Sequence, residues 1–322
     1  MGRMPRRLVA FFFAVVVALG GLCSCTADDP PASRPTTESV PATRSAPATT
    51  ATTAPATASA PATRGAERTA PATDFKLAVR HLALSRGSDR PLPTTIWYPE
   101  RGAGPFPVIV FSHGLTSEPS AYSALLTRWA RAGFVVAAPS FPHTHYQAED
   151  YRPLDVANQP ADASYVLGKV LALNAKNGDA LEHRLDTGRV AAAGHSAGGI
   201  TTIGLFTGRR DRRLVAGIVL AGEQVLPAPF TGPTAPMLFV HGRLDKTVPY
   251  ANGLDVYRAV PWPKALMTVT KGGHVTLTKQ FEPVLDTTTD FWRWSLYGDA
   301  AAKARLRADA TKGGTATLTN HL

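Results

Sequence analysis

A mostly parallel α/β sheet with helices on both faces is the architecture this sequence predicts, on three observations. From Phe75 onward, apolar runs alternate with amphipathic stretches. Runs such as Pro107-Val108-Ile109-Val110-Phe111 are continuously apolar, as strands buried on both faces must be. A Gly-x-Ser-x-Gly turn, Gly194–Gly198, stands between one such run and the apolar segment Ile200–Phe206. Strand, tight turn and helix in that order belong to a parallel sheet with crossover helices.

Two segments of different character precede this domain. Residues 1–25 read as an export signal: Arg3, Arg6 and Arg7 give a positive start, and Leu8–Leu22 is an apolar stretch of signal-peptide length, short for a membrane span. Leu22-Cys23-Ser24-Cys25 then resembles a bacterial lipobox, with Cys25 expected to carry the lipid. Cys23 stays open as the acceptor, and so does an ordinary secreted protein cleaved nearby. Residues 26–73 repeat Pro-Ala-Thr, as at Pro41-Ala42-Thr43 and Pro61-Ala62-Thr63, and hold almost no large apolar side chains. Such a composition cannot offset its ordering entropy, so a disordered tether is expected. Residues 74–322 remain for one catalytic domain, a size suited to a single α/β unit of about 200–250 residues. The expected location is the outer face of a cell membrane, through the lipid anchor, or the medium.

Cys23 and Cys25 are the only two cysteines. The domain therefore has no disulfide framework, thiolate zinc site, iron–sulfur cluster or cysteine nucleophile, and covalent chemistry falls to oxygen or nitrogen. The formal net charge is +10, yet only 18% of residues are charged and the basic ones are scattered. The densest run, Arg209-Arg210-Asp211-Arg212-Arg213, is short and interrupted by an acid. No nucleic-acid partner is expected; the run reads as a solvated connection or a contact with anionic lipid.

Along the domain, Phe75–Leu84 and Leu92–Tyr98 read as early strands, and Pro107–Phe111 as a buried one. A helix is expected near Pro119, because Tyr122, Leu125, Leu126, Trp129 and Ala130 fall at i, i+3, i+4, i+7 and i+8. Gly133 ends it, and Phe134–Ala138 is the next strand, stopped by Pro139. After Pro160 the helical spacing returns at Ala163, Val166, Leu167, Val170 and Leu171. Val190–Gly194, Leu214–Ala221, Pro236–Val240 and finally Ala265–Thr270 complete the expected strands.

Ser196, in Gly194-His195-Ser196-Ala197-Gly198-Gly199, is the expected nucleophile. On a strained strand-to-helix turn, the residues two before and two after it must lack bulk, and both are glycine. The Ala197 N–H then lies at a helix N-terminus, suited to a developing oxyanion. A serine needs a base, and the base an acceptor that fixes its tautomer. Asp245 follows a strand in His241-Gly242-Arg243-Leu244-Asp245, and His274 follows the last expected strand in Lys271-Gly272-Gly273-His274. Glu223, just after Leu214–Ala221, is the alternative acid. The second oxyanion donor is expected at the Leu115 N–H, after the strand ending in Phe111. Among the other histidines, His113 and His195 are expected to be structural, with His195 pointing away from the site. His143 and His145 lack further ligands at metal-like spacing and read as a rim loop, so no metal is expected.

These residues resemble the α/β-hydrolase superfamily, and within it the group of dienelactone-hydrolase-like proteins, platelet-activating-factor-acetylhydrolase-like esterases and bacterial polyester hydrolases. The resemblance spans Leu92 to His274 and rests on Pro93–Tyr98, Gly104–Leu115, Gln159-Pro160-Ala161-Asp162, the Ser196 turn, and Asp245 with His274. The chain order Ser, Asp, His is that of the superfamily. The resemblance implies backbone oxyanion donors at Leu115 and Ala197. Dienelactone hydrolases use cysteine where this chain has Ser196, so the resemblance implies ordinary carboxylic-ester hydrolysis.

The expected activity is therefore that of a serine esterase acting on an ester substrate without cofactor, from a monomeric catalytic domain. The short interval between Ala221 and Pro236 leaves little room for a large helical lid. Trp97, Phe141, Tyr146, Phe230 and Trp262 are candidates for the rim of an open cleft. A hydrolase fold kept only for binding is the alternative from another class, and peptidase or acyltransferase chemistry would use the same three residues.

Overall fold

The computed structural model describes residues 69–102, 104–274 and 281–322. The expected export signal, the expected lipobox with Cys23 and Cys25, and the expected tether as far as residue 68 lie outside the described residues. No helix among the described residues is long and apolar enough to cross a membrane.

Among the described residues, nine strands form one sheet in the order β1-β2-β4-β3-β5-β6-β7-β8-β9. They are β1 (Leu77–Ser85), β2 (Pro91–Pro99), β3 (Phe106–Ser112), β4 (Val135–Pro139), β5 (Leu185–His195), β6 (Leu214–Leu220), β7 (Met237–Gly242), β8 (Lys264–Val269) and β9 (Ala316–His321). The six strands from β4 to β8 pair in parallel, while β1, β2 and β9 run antiparallel to their neighbours. Every residue of β3, β4 and β7 is buried, which accounts for their unbroken apolar sequences.

Among the described residues, six α-helices cover the sheet: α1 (Ser123–Arg131), α2 (Gln159–Ala172), α3 (Ala197–Phe206), α4 (Tyr250–Ala259), α5 (Glu282–Trp292) and α6 (Ala300–Thr311). Trp129 of α1, Trp292 of α5 and Leu306 of α6 pack with Ile109, Phe111 and Val136 in one core. Leu167 of α2, Phe206 of α3 and Val256 of α4 pack with Val108, Val110 and Phe239 in the other. The strands point alternate side chains into the two cores, as the period of two requires. The sixteen residues between Leu220 and Met237 contain no helix or strand.

Ala265–Thr270 is not the last strand: β9 pairs with β8 from Ala316 to His321. Ala316 and Leu318 face inward while Thr317 and Thr319 face out, an alternation that the sequence carries. β5 starts at Leu185 rather than Val190, and its first residues are polar and irregularly paired, with a register shift next to Val190 on the β6 side. At the other end of the domain, Ala70 is buried and the Pro71 carbonyl accepts from Arg293.

One charged network ties the N-terminal strands to α2. The Arg90 guanidinium donates to Asp155 at 2.9 and 2.7 Å and to Asp162 at 2.9, 3.2 and 2.5 Å, and Arg86 adds a 2.7 Å bond to Asp162. Asp162 is wholly buried; its place in Gln159-Pro160-Ala161-Asp162 is that of an internal counter-ion. Hydrogen bonds from Arg90 to Asp162 and then Asp155 hold the guanidinium firmly protonated against the cost of burial. Removing one member of a buried ion network strands its partners without compensation. Arg90→Leu is expected to lower unfolding stability by about 3–5 kcal/mol, measured by urea denaturation.

Candidate active site

β3 and β5 are neighbours although β4 lies between them in sequence, so the connection after β3 runs toward β4 and the one after β5 runs the opposite way, toward β6. Beyond the C-terminal ends of such strands a crevice opens, the usual ligand site of an open α/β sheet. The loop carrying His113, Gly114 and Leu115 leaves β3 there, and Ser196 follows β5 directly.

Ser196 adopts φ 58 and ψ −121, a strained conformation for a residue with a side chain. Thr116 and Ala221, with φ 51 and 46, also stand in loops at this edge. The Ser196 N–H still donates to Leu220 of β6 at 2.9 Å, and the Ala221 N–H to Val240 of β7 at 2.8 Å. The ladder therefore holds the strand ends while the chain turns sharply. α3 begins at Ala197, and its first backbone bond runs from the Ile200 N–H to the Ser196 carbonyl. The amides of Ala197, Gly198 and Gly199 thus precede the helical ladder.

Glycine is required where this turn meets β3. A Cβ at Gly198 would lie 1.9 Å from the Ser112 carbonyl oxygen, and one at Gly194 would lie 2.1 Å from that of Gly198. Across the crevice, Gly114 lies so close that a Cβ there would be 3.2 Å from the Ser196 Cβ. The amides on either side of Leu115 are committed, Gly114 to the Tyr122 hydroxyl at 3.0 Å and Thr116 to the Thr144 carbonyl at 2.8 Å.

Asp245 and His274 come together from the loops after β7 and β8: the His274 Nδ1 donates to Asp245 Oδ2 at 2.8 Å. The other carboxylate oxygen accepts from the Thr247 and Val248 amides at 2.8 and 2.9 Å. His241, buried at the end of β7, donates from Nε2 to the Val248 carbonyl at 3.0 Å and stands 3.5 Å from Asp245 Oδ2. Burial alone would raise the Asp245 carboxyl; hydrogen bonds from His241 and His274 outweigh it and hold the group well below the usual carboxylate range. It is ionised whenever His274 needs an anionic partner. Glu223 is occupied elsewhere, accepting from Asn252 at 2.5 Å.

The other sequence candidates divide. His113 is buried, donating from Nδ1 to the Gly114 carbonyl at 2.8 Å and accepting the Phe141 N–H at Nε2, 3.1 Å away; burial lowers its pKa to about 4. His143 turns to the Asp150 carbonyl and His145 accepts the Gln147 N–H, the contacts of a structured loop. His195 does not point away: its ring lies 4.7 Å from that of His274, centroid to centroid. Of the rim aromatics only Tyr146 is exposed; Trp97 and Phe141 are buried, and Phe230 packs edge-on against Trp262. In the basic run, Arg210 covers Phe206 and Trp262, and Arg213 pairs with Asp211, so these two arginines are structural.

Sequence reasoning missed His241 and Tyr122. His241 had one signal, its place at the end of a strand four residues before Asp245. Tyr122 had none, because it occupies a position on the apolar spacing of a helix, whereas it lies in the 3-10 turn Pro119–Tyr122 ahead of α1.

Residues 72–223 match the protein family described as Chlorophyllase. That interval holds β3, the Leu115 loop and Ser196, and it ends before Asp245 and His274. No curated protein matches the chain. Gly198→Ala is expected to abolish soluble expression or cost more than about 4 kcal/mol, since backbone, not a movable side chain, fills the space; circular dichroism and denaturation of any soluble product measure this. The mixed nine-stranded sheet has the α/β-hydrolase fold, and over residues 72–223 the chain is similar to an ester-hydrolysing family of that fold.

Proposed function

We propose that the chain is an exported, lipid-anchored serine esterase that cleaves carboxylic esters through an acyl-enzyme on Ser196. The observation that carries this reading is the 2.8 Å bond between His274 and Asp245 at the sheet edge where Ser196 stands on its strained turn. His274, held in one tautomer by Asp245, takes the Ser196 proton at Nε2 as Oγ attacks the ester carbonyl. The Leu115 and Ala197 amides receive the oxyanion, each worth roughly 3–4 kcal/mol of barrier. His274 then protonates the leaving alcohol and activates the water that frees the acid.

An apolar substrate suits the surroundings. Of the five large apolar side chains that are well exposed among the described residues, Tyr146, Leu154, Leu226 and Leu244 stand in segments following β4, β6 and β7. Those segments leave the sheet at the edge where Ser196 lies. Apolar groups around a cleft favour a ligand with a substantial hydrocarbon part. Anchoring rests on the sequence around Cys25: acyl chains on one cysteine hold a protein at a bilayer because each buried methylene adds about 0.8 kcal/mol.

The test is fluorophosphonate labelling and turnover of p-nitrophenyl esters of increasing chain length, with chlorophyll included on account of the matched family's description. Ser196→Ala is expected to abolish labelling and cut kcat by at least about 10³-fold, and Asp245→Asn to cut kcat by about 10²–10⁴-fold. A folded wild-type chain that is neither labelled nor active would leave the binding lipoprotein in its place. Cys25→Ala is expected to move the protein from the membrane to the soluble fraction and to stop palmitate incorporation; the same loss in Cys23→Ala alone would assign the lipid to Cys23.

A further inference from the structure

His195, next to the proposed nucleophile, is buried, and the mechanism above gives it no task. Its Nδ1 lies 3.0 Å from the Tyr122 hydroxyl and its Nε2 3.0 Å from the His274 carbonyl oxygen. A carbonyl only accepts, so Nε2 carries the ring proton. Nδ1 of the neutral ring is then an acceptor, and the Tyr122 O–H donates to it. The Tyr122 oxygen in turn accepts the Gly114 N–H at 3.0 Å. One proton arrangement satisfies every member: Gly114 N–H to Tyr122, Tyr122 O–H to His195, His195 Nε2–H to His274.

We propose that Tyr122 and His195 are positioning residues, forming a neutral brace that fixes the backbone of His274 relative to the loop bearing Leu115. This rests on the triad reading above. His274 reaches the site on Lys271-Gly272-Gly273, a segment with two glycines. Asp245 holds one ring nitrogen, and a single hydrogen bond leaves the ring free to swing about that contact. The bond from His195 to the His274 carbonyl supplies a second fixed point, one residue from Ser196. Because the same chain of bonds ends on Gly114, base and oxyanion loop are set against each other through side chains instead of across open crevice. Burial, with the neighbouring His274 adding to it, lowers the His195 pKa to about 3, so the ring stays neutral, as the bond directions demand. A charged brace next to His274 would oppose the imidazolium that forms during acyl transfer; a neutral one does not.

The test compares His195→Phe, which keeps an aromatic ring and removes both polar atoms, with His195→Gln, whose amide N–H can reach the His274 carbonyl, and with Tyr122→Phe, which loses one oxygen. Ser196→Ala runs beside them in the full chain. Active-site titration counts competent sites, so that kcat refers to folded enzyme. His195→Phe and Tyr122→Phe are expected to lower kcat by about 10- to 100-fold, the scale of an ångström's misplacement, with KM within about twofold. His195→Gln is expected to recover kcat to within about fivefold of wild type. The low-field proton resonance of His274 Nδ1–H is expected to broaden in His195→Phe and persist in His195→Gln. Unchanged kcat in His195→Phe, or equal loss in the Phe and Gln variants, would overturn the brace and leave a packing histidine. Should His195→Phe not fold, Tyr122→Phe decides alone, and wild-type kcat there overturns the proposal. Activity surviving in Ser196→Ala would overturn both the brace and the triad; an inactive Ser196→Ala beside fully active brace variants would overturn the brace only.

Discussion

The close passage of the turn after β5 against the end of β3 is the constraint on which the rest of the site depends. With a Cβ at Gly198 only 1.9 Å from the Ser112 carbonyl, the start of α3 can occupy its place solely because that position is glycine. Beside this contact Ser196 adopts its positive-φ conformation and Gly114 comes up to the Ser196 side chain. Strain of this kind persists only where surrounding structure over-determines it. Here the ladder bonds from Ser196 to Leu220 and from Ala221 to Val240 hold the strand ends on either side.

Electrostatics around this turn separate one charged group from several neutral ones. Asp245 is anionic because two amides and His274 donate to it, with His241 close by, outweighing a burial that would otherwise neutralise it. His113 and His195 sit within a few residues of the reaction centre, yet burial keeps both neutral, and each spends one ring nitrogen as donor and the other as acceptor. Neither ring therefore adds a positive charge beside His274. The same economy appears in the Arg90 network, where two arginines and two aspartates cancel inside the fold; it fixes the segment before α2 that also carries Asp155.

Around the site, the loops divide between anchoring and approach. Gln159 bonds Thr144 and Thr201 at 2.7 and 2.6 Å, so the segment after β4 is tied to α3 from below. Tyr146 on the same segment is exposed, as are Leu226 and Leu244 on the segments after β6 and β7.

Local pattern alone determined a good deal. Continuous apolar runs gave β3, β4, β6 and β7 within a residue or two, since a strand buried on both faces has no alternative composition. Gly194 and Gly198 marked the strained turn, because only that backbone demands glycine on both sides of a serine. The positions of Asp245 and His274 after strands made them candidates, and their 2.8 Å contact joins loops twenty-nine residues apart. β9 was legible in its alternation but short and far from its partner in sequence. What tertiary structure alone decided was orientation. Whether His195 packs away from the site or stacks on His274 depends on how the turn is rolled against β6 and β8, which no neighbouring residue encodes. Tyr122 has the spacing of a helical core residue, and only the approach of two distant loops turns its hydroxyl into a shared partner. Hydrophobic periodicity reports which residues are inside; it carries no information on which buried polar atoms find each other there, because that is settled by long-range packing.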